Sequence, residues 1–148
     1  MDRGLVAQAE VEIQAPLSRV WEALTTPSII KKYFFGSDIV TDWGVGSPIL
    51  YRGEWQGKAY EDKGSVLEVE PQRSLVVTHW SPLSGTEDAP ENYHTVRYTL
   101  ALHGEGTSVT IRQDNNASAE EVQHAEKNWA AVLGGLKALL EGEAAAGT

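Results

Sequence analysis

The chain has 148 residues, of which 41% are apolar and 22% charged, and its 21 acidic and 12 basic residues leave a net charge of −9. A chain of this length suits one domain that buries roughly 68–70% of its unfolded surface and needs no metal or disulfide staple. The absence of cysteine excludes thiol nucleophiles, disulfide frameworks and thiolate metal sites. The acidic surface disfavours a nucleic-acid partner because it repels phosphate backbones.

The apolar runs are too short for a membrane protein. A membrane helix needs about 20 apolar residues, whereas the longest run here, Ala130 to Leu136, is short and includes two glycines. The segment Met1–Gly4 lacks the pattern of a signal peptide. We therefore expect a cytoplasmic protein with no membrane partner.

The N-terminal part predicts one strand and two short helices. Apolar and polar residues alternate over Ala7–Ile13, which is the period of a half-buried strand. Pro16 ends that strand, and apolar residues at helical spacing from Leu17 to Leu24 predict a helix of about two turns. A second short helix is predicted from Pro27 to about Tyr33, since proline suits the first helical position.

The middle of the chain predicts an antiparallel sheet. Short runs of β-branched and aromatic residues, separated by turn residues, predict strands at about 37–41, 48–55, 58–69, 74–80, 93–103 and 106–114. The spacers are short enough for hairpins, whereas parallel crossovers need a dozen or more residues. The exception is Ser81–Glu91, which is polar and contains prolines and glycine, and is predicted to be a long exposed loop.

One long helix is predicted at the C-terminus. Ser118 and Glu121 form a capping-box pattern, and apolar residues recur at spacings of three and four as far as about Glu141, with Gly142 as the predicted end. The predicted fold is α+β, with a curved antiparallel sheet wrapped around this helix and a pocket between them. We expect a single domain over residues 1–143 and a flexible tail over residues 144–148.

Several stretches resemble a known family. They are Val11–Pro16 with Val20–Pro27, Gly64–Pro71 leading to Leu75–Thr78, Gly106–Ile111, and Asn128-Trp129 followed by Leu133, Leu136 and Leu140. They resemble the START-related helix-grip domains (the SRPBCC superfamily), and most of all the group named for the C-terminal domain of the heat-shock protein 90 ATPase activator. The resemblance covers residues 5–141 and implies a β-α-α-β6-α helix grip, in agreement with the predicted elements.

The resemblance implies a small hydrophobic or aromatic molecule as partner, because members of the family bind or process such molecules. The leading hypothesis is a non-enzymatic binding protein, monomeric or homodimeric. The family name also implies a stress-related protein that contacts a chaperone. The activator itself depends on an additional chaperone-binding domain, which we do not expect in a single-domain chain of this length.

An unusual number of aromatic residues supports a pocket. Five tryptophans and five tyrosines are generous for this length; they either fill the core or line a ligand site, with Trp43, Trp55 and Trp80 as candidates for the mouth of a pocket. His79 shares a strand face with Leu75 and Val77, and it either points into the cavity or is a hydrogen-bonded core histidine. The predicted ligand-binding residues are Tyr51, Trp55, Val77, His79, Trp80, Trp129 and Leu133.

Catalytic, metal and cofactor motifs are not evident. The histidines lack metal-ligand spacing, and no nucleophile-elbow, P-loop or complete dinucleotide motif occurs, so we predict no catalytic residue, metal or cofactor. The alternative is an enzyme of the polyketide cyclase or hydrolase type, as some START-related relatives are. In that case His79 with Tyr51 or Tyr93 is the only plausible acid–base set.

Two local features admit two interpretations each. Gly134-Gly135 is unfavourable inside a helix, at about 1 kcal/mol per glycine, so we expect either a close approach to the short helices or space for a ligand. Arg52 either forms a surface ion pair with Glu54 or Glu61 or meets a ligand carboxylate.

Overall fold

A computed structural model describes residues 5–146, apart from the side chains of Trp55, Leu83 and residues 143–146. The elements follow the predicted order: β1 (Leu5–Ile13), α1 (Leu17–Thr25), α2 (Pro27–Tyr33), β2 (Asp38–Val40), β3 (Pro48–Trp55), β4 (Lys58–Glu70), β5 (Ser74–His79), β6 (His94–His103), β7 (Gly106–Asn116) and α3 (Ala119–Ala146). The loop predicted at Ser81–Glu91 carries short 3₁₀ turns at Pro82–Ser84 and Pro90–Asn92.

The seven strands form one curved antiparallel sheet in the order β1-β7-β6-β5-β4-β3-β2. Strands β2 to β7 are a meander in which each strand pairs with the next, and β1 closes one side by pairing with β7. A register shift between Val66 and Glu68 interrupts the β4–β5 pairing, and irregularities of this kind bend a sheet. The predicted α+β helix grip is confirmed.

A tight turn at Gln56-Gly57 fixes the register of β3 on β4. Both residues have positive φ angles, 51° and 80°, as in the two-residue turns whose twist matches that of a hairpin. The turn sets Trp55 opposite Lys58 and, four pairs further along, Tyr51 opposite Asp62. The same register therefore places Tyr51 and Asp62 side by side on one face of the sheet.

Helix α3 begins with the predicted capping interaction. The Glu121 amide donates to the Ser118 hydroxyl oxygen at 3.1 Å, and the Glu121 carboxylate accepts from the Ala117 amide at 3.0 Å. The predicted end at Gly142 is wrong, because the helix continues to Ala146. One glycine costs only about 1 kcal/mol, and three consecutive alanines, the best helix formers, follow it.

The apolar face of α3 packs along β1 and against α1, α2 and β7. Its buried side chains meet those of β1 and β7 in one continuous core; from α3 they are Val132, Leu133, Leu136 and Leu140, and from the strands Ile13, Val109 and Ile111. Gly135 lies close to α2, since an added Cβ would lie 3.2 Å from Cβ of Tyr33. Of the two interpretations of the glycine pair, close helix packing is confirmed at Gly135.

Within residues 5–146, no helix combines the length and apolar character needed to cross a lipid bilayer.

Candidate functional site

A small apolar cavity lies beneath α1 and α2. It is a cavity of about 30 Å³, which is room for roughly one water molecule. Its wall is formed by α1, α2, the residues that follow α2, and strands β2, β3, β5 and β6. The lining residues are Leu24, Ile30, Tyr33, Phe34, Ile39, Trp43, Ile49, Tyr51, Leu75, Val77 and Tyr98.

No residue of α3 is among the lining residues of this cavity, and the leucines that α3 turns toward the sheet belong to the main core. Leu133 is 1% exposed and Leu136 is fully buried, both within the main core. Leucines at spacings of three and four form a continuous ridge along a helix, and a ridge of this kind fills the groove it faces. The cavity is left instead under α1 and α2, two helices too short to cover the whole sheet.

Aromatic rings separate the cavity from α3. The Phe34 ring stacks on that of Tyr51 at 6.5 Å and meets that of Trp129 edge-on at 5.6 Å. The Trp129 ring also contacts the Tyr98 ring at 6.0 Å, and its indole N–H donates to the Gln113 side-chain oxygen at 2.9 Å. Trp129 is therefore fixed at both ends, and it forms the boundary between the cavity wall and the helix.

Three buried tyrosines line this cavity, and their hydroxyls are in different situations. The Tyr33 hydroxyl donates to the Ala23 carbonyl at 2.8 Å. Tyr51 and Tyr98 are only 7% and 8% exposed, yet among the described residues their hydroxyls have no hydrogen-bond partner. Burial raises the pKa of all three hydroxyls above the usual range, and the proximity of Tyr98 raises those of Tyr33 and Tyr51 further.

A polar pair lies beside Tyr51 at one end of the cavity. His79 Nε2 is 2.9 Å from Asp62 Oδ2, and the His79 ring meets that of Tyr51 edge-on at 5.0 Å. The second carboxylate oxygen, Asp62 Oδ1, is buried and has no hydrogen-bond partner among the described residues. His79 is thus a half-buried, hydrogen-bonded residue at the rim of the cavity.

The structure brings several of the predicted ligand-binding residues together. Tyr51 and Val77 line the cavity and His79 adjoins it. Trp129 touches lining residues from α3, whereas Leu133 belongs to the core beneath that helix. The side chain of Trp55 lies outside the described part of the structure.

Trp80 lies apart from the cavity. Its ring stacks on that of Tyr93 at 6.2 Å and its indole N–H donates to the Thr86 hydroxyl at 3.0 Å, so it packs against the loop that follows β5. Successive residues of a strand point to opposite faces, so Trp80 faces away from the side that carries His79. Of the two acid–base sets considered for His79, the structure therefore assembles the one with Tyr51.

Arg52 and two further histidines, His94 and His103, lie next to acidic side chains at the surface or close to it. His94 and His103 approach Glu121 and Glu12 at 3.3 and 3.0 Å. Arg52 pairs with Glu61 at 2.6 Å, as one of its two interpretations predicted. No group of three or more histidine, aspartate or glutamate side chains in the described part of the chain is arranged to hold a metal ion.

Sequence reasoning missed several residues of this site, among them Phe34, Asp62 and Tyr98. Tyr98 carried a usable signal, because it alternates with Val96 and Leu100 on an inward-facing strand. Asp62 carried none, because its place beside Tyr51 follows from the pairing register and not from its own neighbours in sequence.

The comparisons with known proteins agree with this architecture. The sequence model of the family described as "Activator of Hsp90 ATPase homolog 1-like protein" matches residues 14–141, which is most of the chain. The chain belongs to this family. No curated protein matches its sequence significantly.

Solved structures extend the comparison. A solution structure from Cytophaga hutchinsonii is 48% identical, with 98% of this chain and 99% of that chain covered and a TM-score of 0.84. The Aha1 dimer from Colwellia psychrerythraea is 23% identical, with coverages of 93% and 96% and a TM-score of 0.71. A protein of the dynemicin biosynthetic locus is 23% identical, with coverages of 92% and 47% and a TM-score of 0.77. The last two share the fold.

Proposed function

We propose that this chain is a binding protein for a small apolar or aromatic molecule, held between the sheet and the α1–α2 pair. The observation that carries the proposal is an apolar cavity lined by Tyr51 and Tyr98, two largely buried residues whose hydroxyls have no hydrogen-bond partner among the described residues. The hydroxyl of a largely buried tyrosine usually has a hydrogen-bond partner. A bound molecule that reaches these hydroxyls supplies that partner.

The ligand must enlarge the cavity, because about 30 Å³ is far below the 300–1,000 Å³ of a typical ligand pocket. The wall best suited to move is α2 with the turn after it. A helix of seven residues is not stable on its own, and the turn residues Phe35 and Gly36 have positive φ angles of 53° and 72°. Phe35 is 63% exposed, so its ring contributes little burial that would hold the turn in place.

Affinity comes from apolar burial, and orientation comes from the polar groups. Burial contributes about 25 cal/mol per Å² of apolar ligand surface, and the rings of Phe34, Tyr51 and Trp129 offer both stacked and edge-on contacts. The Tyr51 and Tyr98 hydroxyls then select how a polar substituent is oriented. This combination favours an aromatic molecule with one polar group.

The test is a screen of one-ring and two-ring aromatic molecules by thermal shift and ¹H–¹⁵N NMR. A ligand present at a hundred times its Kd stabilises the folded state by about 2.7 kcal/mol, so we expect the Tm to rise by several degrees. Val77→Phe fills the cavity and should abolish the shift. The matched control Leu102→Phe, at an exposed position of β6, should keep it. A library without a single hit on the folded wild type would overturn the proposal.

A further inference from the structure

The Asp62–His79 pair at the rim of the cavity has an unused hydrogen-bonding capacity. An ionised carboxylate is an acceptor only, with two oxygens that together take several hydrogen bonds. His79 is hydrogen-bonded to Oδ2, whereas Oδ1 is buried and has no hydrogen-bond partner among the described residues. A buried carboxylate oxygen without a donor is costly, so the site is complete only when a donor reaches it.

The pairing register sets Asp62 next to a residue that lines the cavity. Asp62 is the cross-strand partner of Tyr51, and directly paired residues share a face. Tyr51 lines the cavity and contacts the His79 ring. Burial is the largest cause of the raised pKa of Tyr51, followed by the proximity of Tyr98 and then by the charge of Asp62. The carboxylate is therefore close enough to act on the Tyr51 hydroxyl.

The charges around Asp62 favour a donor and disfavour an anion. The neighbouring cations Arg52 and Lys63 immediately follow Tyr51 and Asp62 in sequence and therefore point to the opposite face of the sheet. Each of them is paired there, Arg52 with Glu61 and Lys63 with Asp88. On the cavity face lie the hydroxyls of Tyr51 and Tyr98 and, as the cross-strand partner of His79, His94, whose ring lies 3.3 Å from the Glu121 carboxylate. A ligand carboxylate would thus meet Asp62 without a lysine or arginine to compensate.

We propose that Asp62 is the specificity-determining residue of this site: its free carboxylate oxygen accepts a hydrogen bond from a hydroxyl or N–H group of an otherwise aromatic ligand. The chemical class is a phenol or an aromatic N–H compound, and aromatic carboxylates are rejected. His79 is a positioning residue that holds the carboxylate from its other oxygen. This inference rests on the proposed ligand-binding function and adds the polarity of the ligand to it.

Three probes of one ring size separate the possibilities: p-cresol carries a donor, 4-methylanisole carries an acceptor only, and 4-methylbenzoate carries a negative charge. Hydrogen bonds to charged groups contribute about 1.5–3 kcal/mol, so we expect p-cresol to bind about tenfold or more tightly than 4-methylanisole. We expect no measurable binding of 4-methylbenzoate. The Kd values are measured by NMR titration of the wild-type protein.

The variant Asp62→Leu keeps the side-chain size and removes the acceptor, and should bring the affinity ratio of p-cresol to 4-methylanisole down to about one. Glu61→Leu is the matched control, since Glu61 is the adjacent carboxylate on the opposite face, and should leave the ratio unchanged. If Asp62→Leu fails to fold, the wild type still decides the matter. There p-cresol, and not 4-methylanisole, should shift the Asp62 carboxyl ¹³C and His79 ring ¹⁵N resonances.

The outcomes separate the two claims. Equal affinities for p-cresol and 4-methylanisole, or an unchanged ratio in Asp62→Leu, would overturn the role of Asp62 and leave the ligand-binding function standing. Failure of both neutral probes, together with failure of the wider aromatic screen, would overturn the ligand-binding function and this inference with it.

Discussion

Three tyrosines give the interior its chemical character. Tyr33, Tyr51 and Tyr98 surround one cavity, and burial raises the pKa of each because the phenolate is poorly solvated there. In an unfolded chain a tyrosine ionises near pH 10. The three tyrosine hydroxyls therefore stay protonated in the native structure in a pH range where those of the unfolded chain ionise.

This difference predicts loss of stability in base. Each raised pKa contributes stability that is fully present below pH 10 and is lost as pH rises toward the folded-state value. The absorbance of tyrosinate near 295 nm should show no ionisation of these three tyrosines until the protein unfolds. Tyr98→Phe should reduce the pH dependence above pH 10. Ionisation of all five tyrosines near pH 10 in a protein that is still folded would contradict this prediction.

Sequence alone indicated some of the site residues and could not indicate others. Val77 and His79 were predicted because alternation along a strand places them on one face, and Tyr51 was predicted from the surplus of aromatic residues and the family resemblance. The partnership of His79 with Asp62 was not predicted, since it depends on the register of β4 against both of its neighbours, and β4 is irregular between Val66 and Glu68. Contacts across strands are set by pairing, and the local sequence carries little information about them.

Helix α2 is held in place by a close approach to α3. A Cβ on Gly135 would lie 3.2 Å from Cβ of Tyr33 and 3.5 Å from its carbonyl oxygen, whereas a Cβ on Gly134 would meet no atom within 4 Å. The two adjacent glycines therefore have different roles. The cost of Gly134 in helix propensity brings no gain in packing, whereas the same cost at Gly135 is offset because α2 packs closely there.

This contrast predicts different effects of one substitution at two neighbouring positions. Gly134→Ala should stabilise the protein by about 0.5–1 kcal/mol through helix propensity alone. Gly135→Ala should forfeit that gain, because α2 must shift by a few tenths of an ångström to admit the methyl group. Urea unfolding of both variants measures the difference. Equal stabilisation by both would show that α2 does not depend on this contact.

The start of α3 depends on one side chain. The Ser118 hydroxyl accepts from the Glu121 amide, which is otherwise one of the four unsatisfied N–H groups at the helix start. Ser118→Ala should cost about 1 kcal/mol in the free energy of unfolding, whereas Ser118→Asp should cost little because aspartate also caps. Chemical denaturation of the two variants tests this, and indistinguishable midpoints would contradict a capping role.

In the molecule as a whole, the fold was predictable and the position of the free space was not. Periodicity and turn residues are local signals, and they predicted the order of the elements and the antiparallel sheet. The cavity is the volume that packed side chains leave empty. Its position depends on how much of the sheet the leucines of α3 cover and how much of the sheet α1 and α2 leave uncovered. It was expected beneath the long helix and lies beneath the short ones.

The most direct test is to locate a bound aromatic molecule by isotope-filtered NOE spectroscopy on the labelled wild-type protein. We predict NOEs from the ring of p-cresol to Tyr51, Val77 and Tyr98, accompanied by chemical-shift changes along α2 and the turn at Phe35 and Gly36. NOEs confined to exposed residues, or a saturating titration that leaves α2 unperturbed, would contradict binding in the cavity beneath α1 and α2.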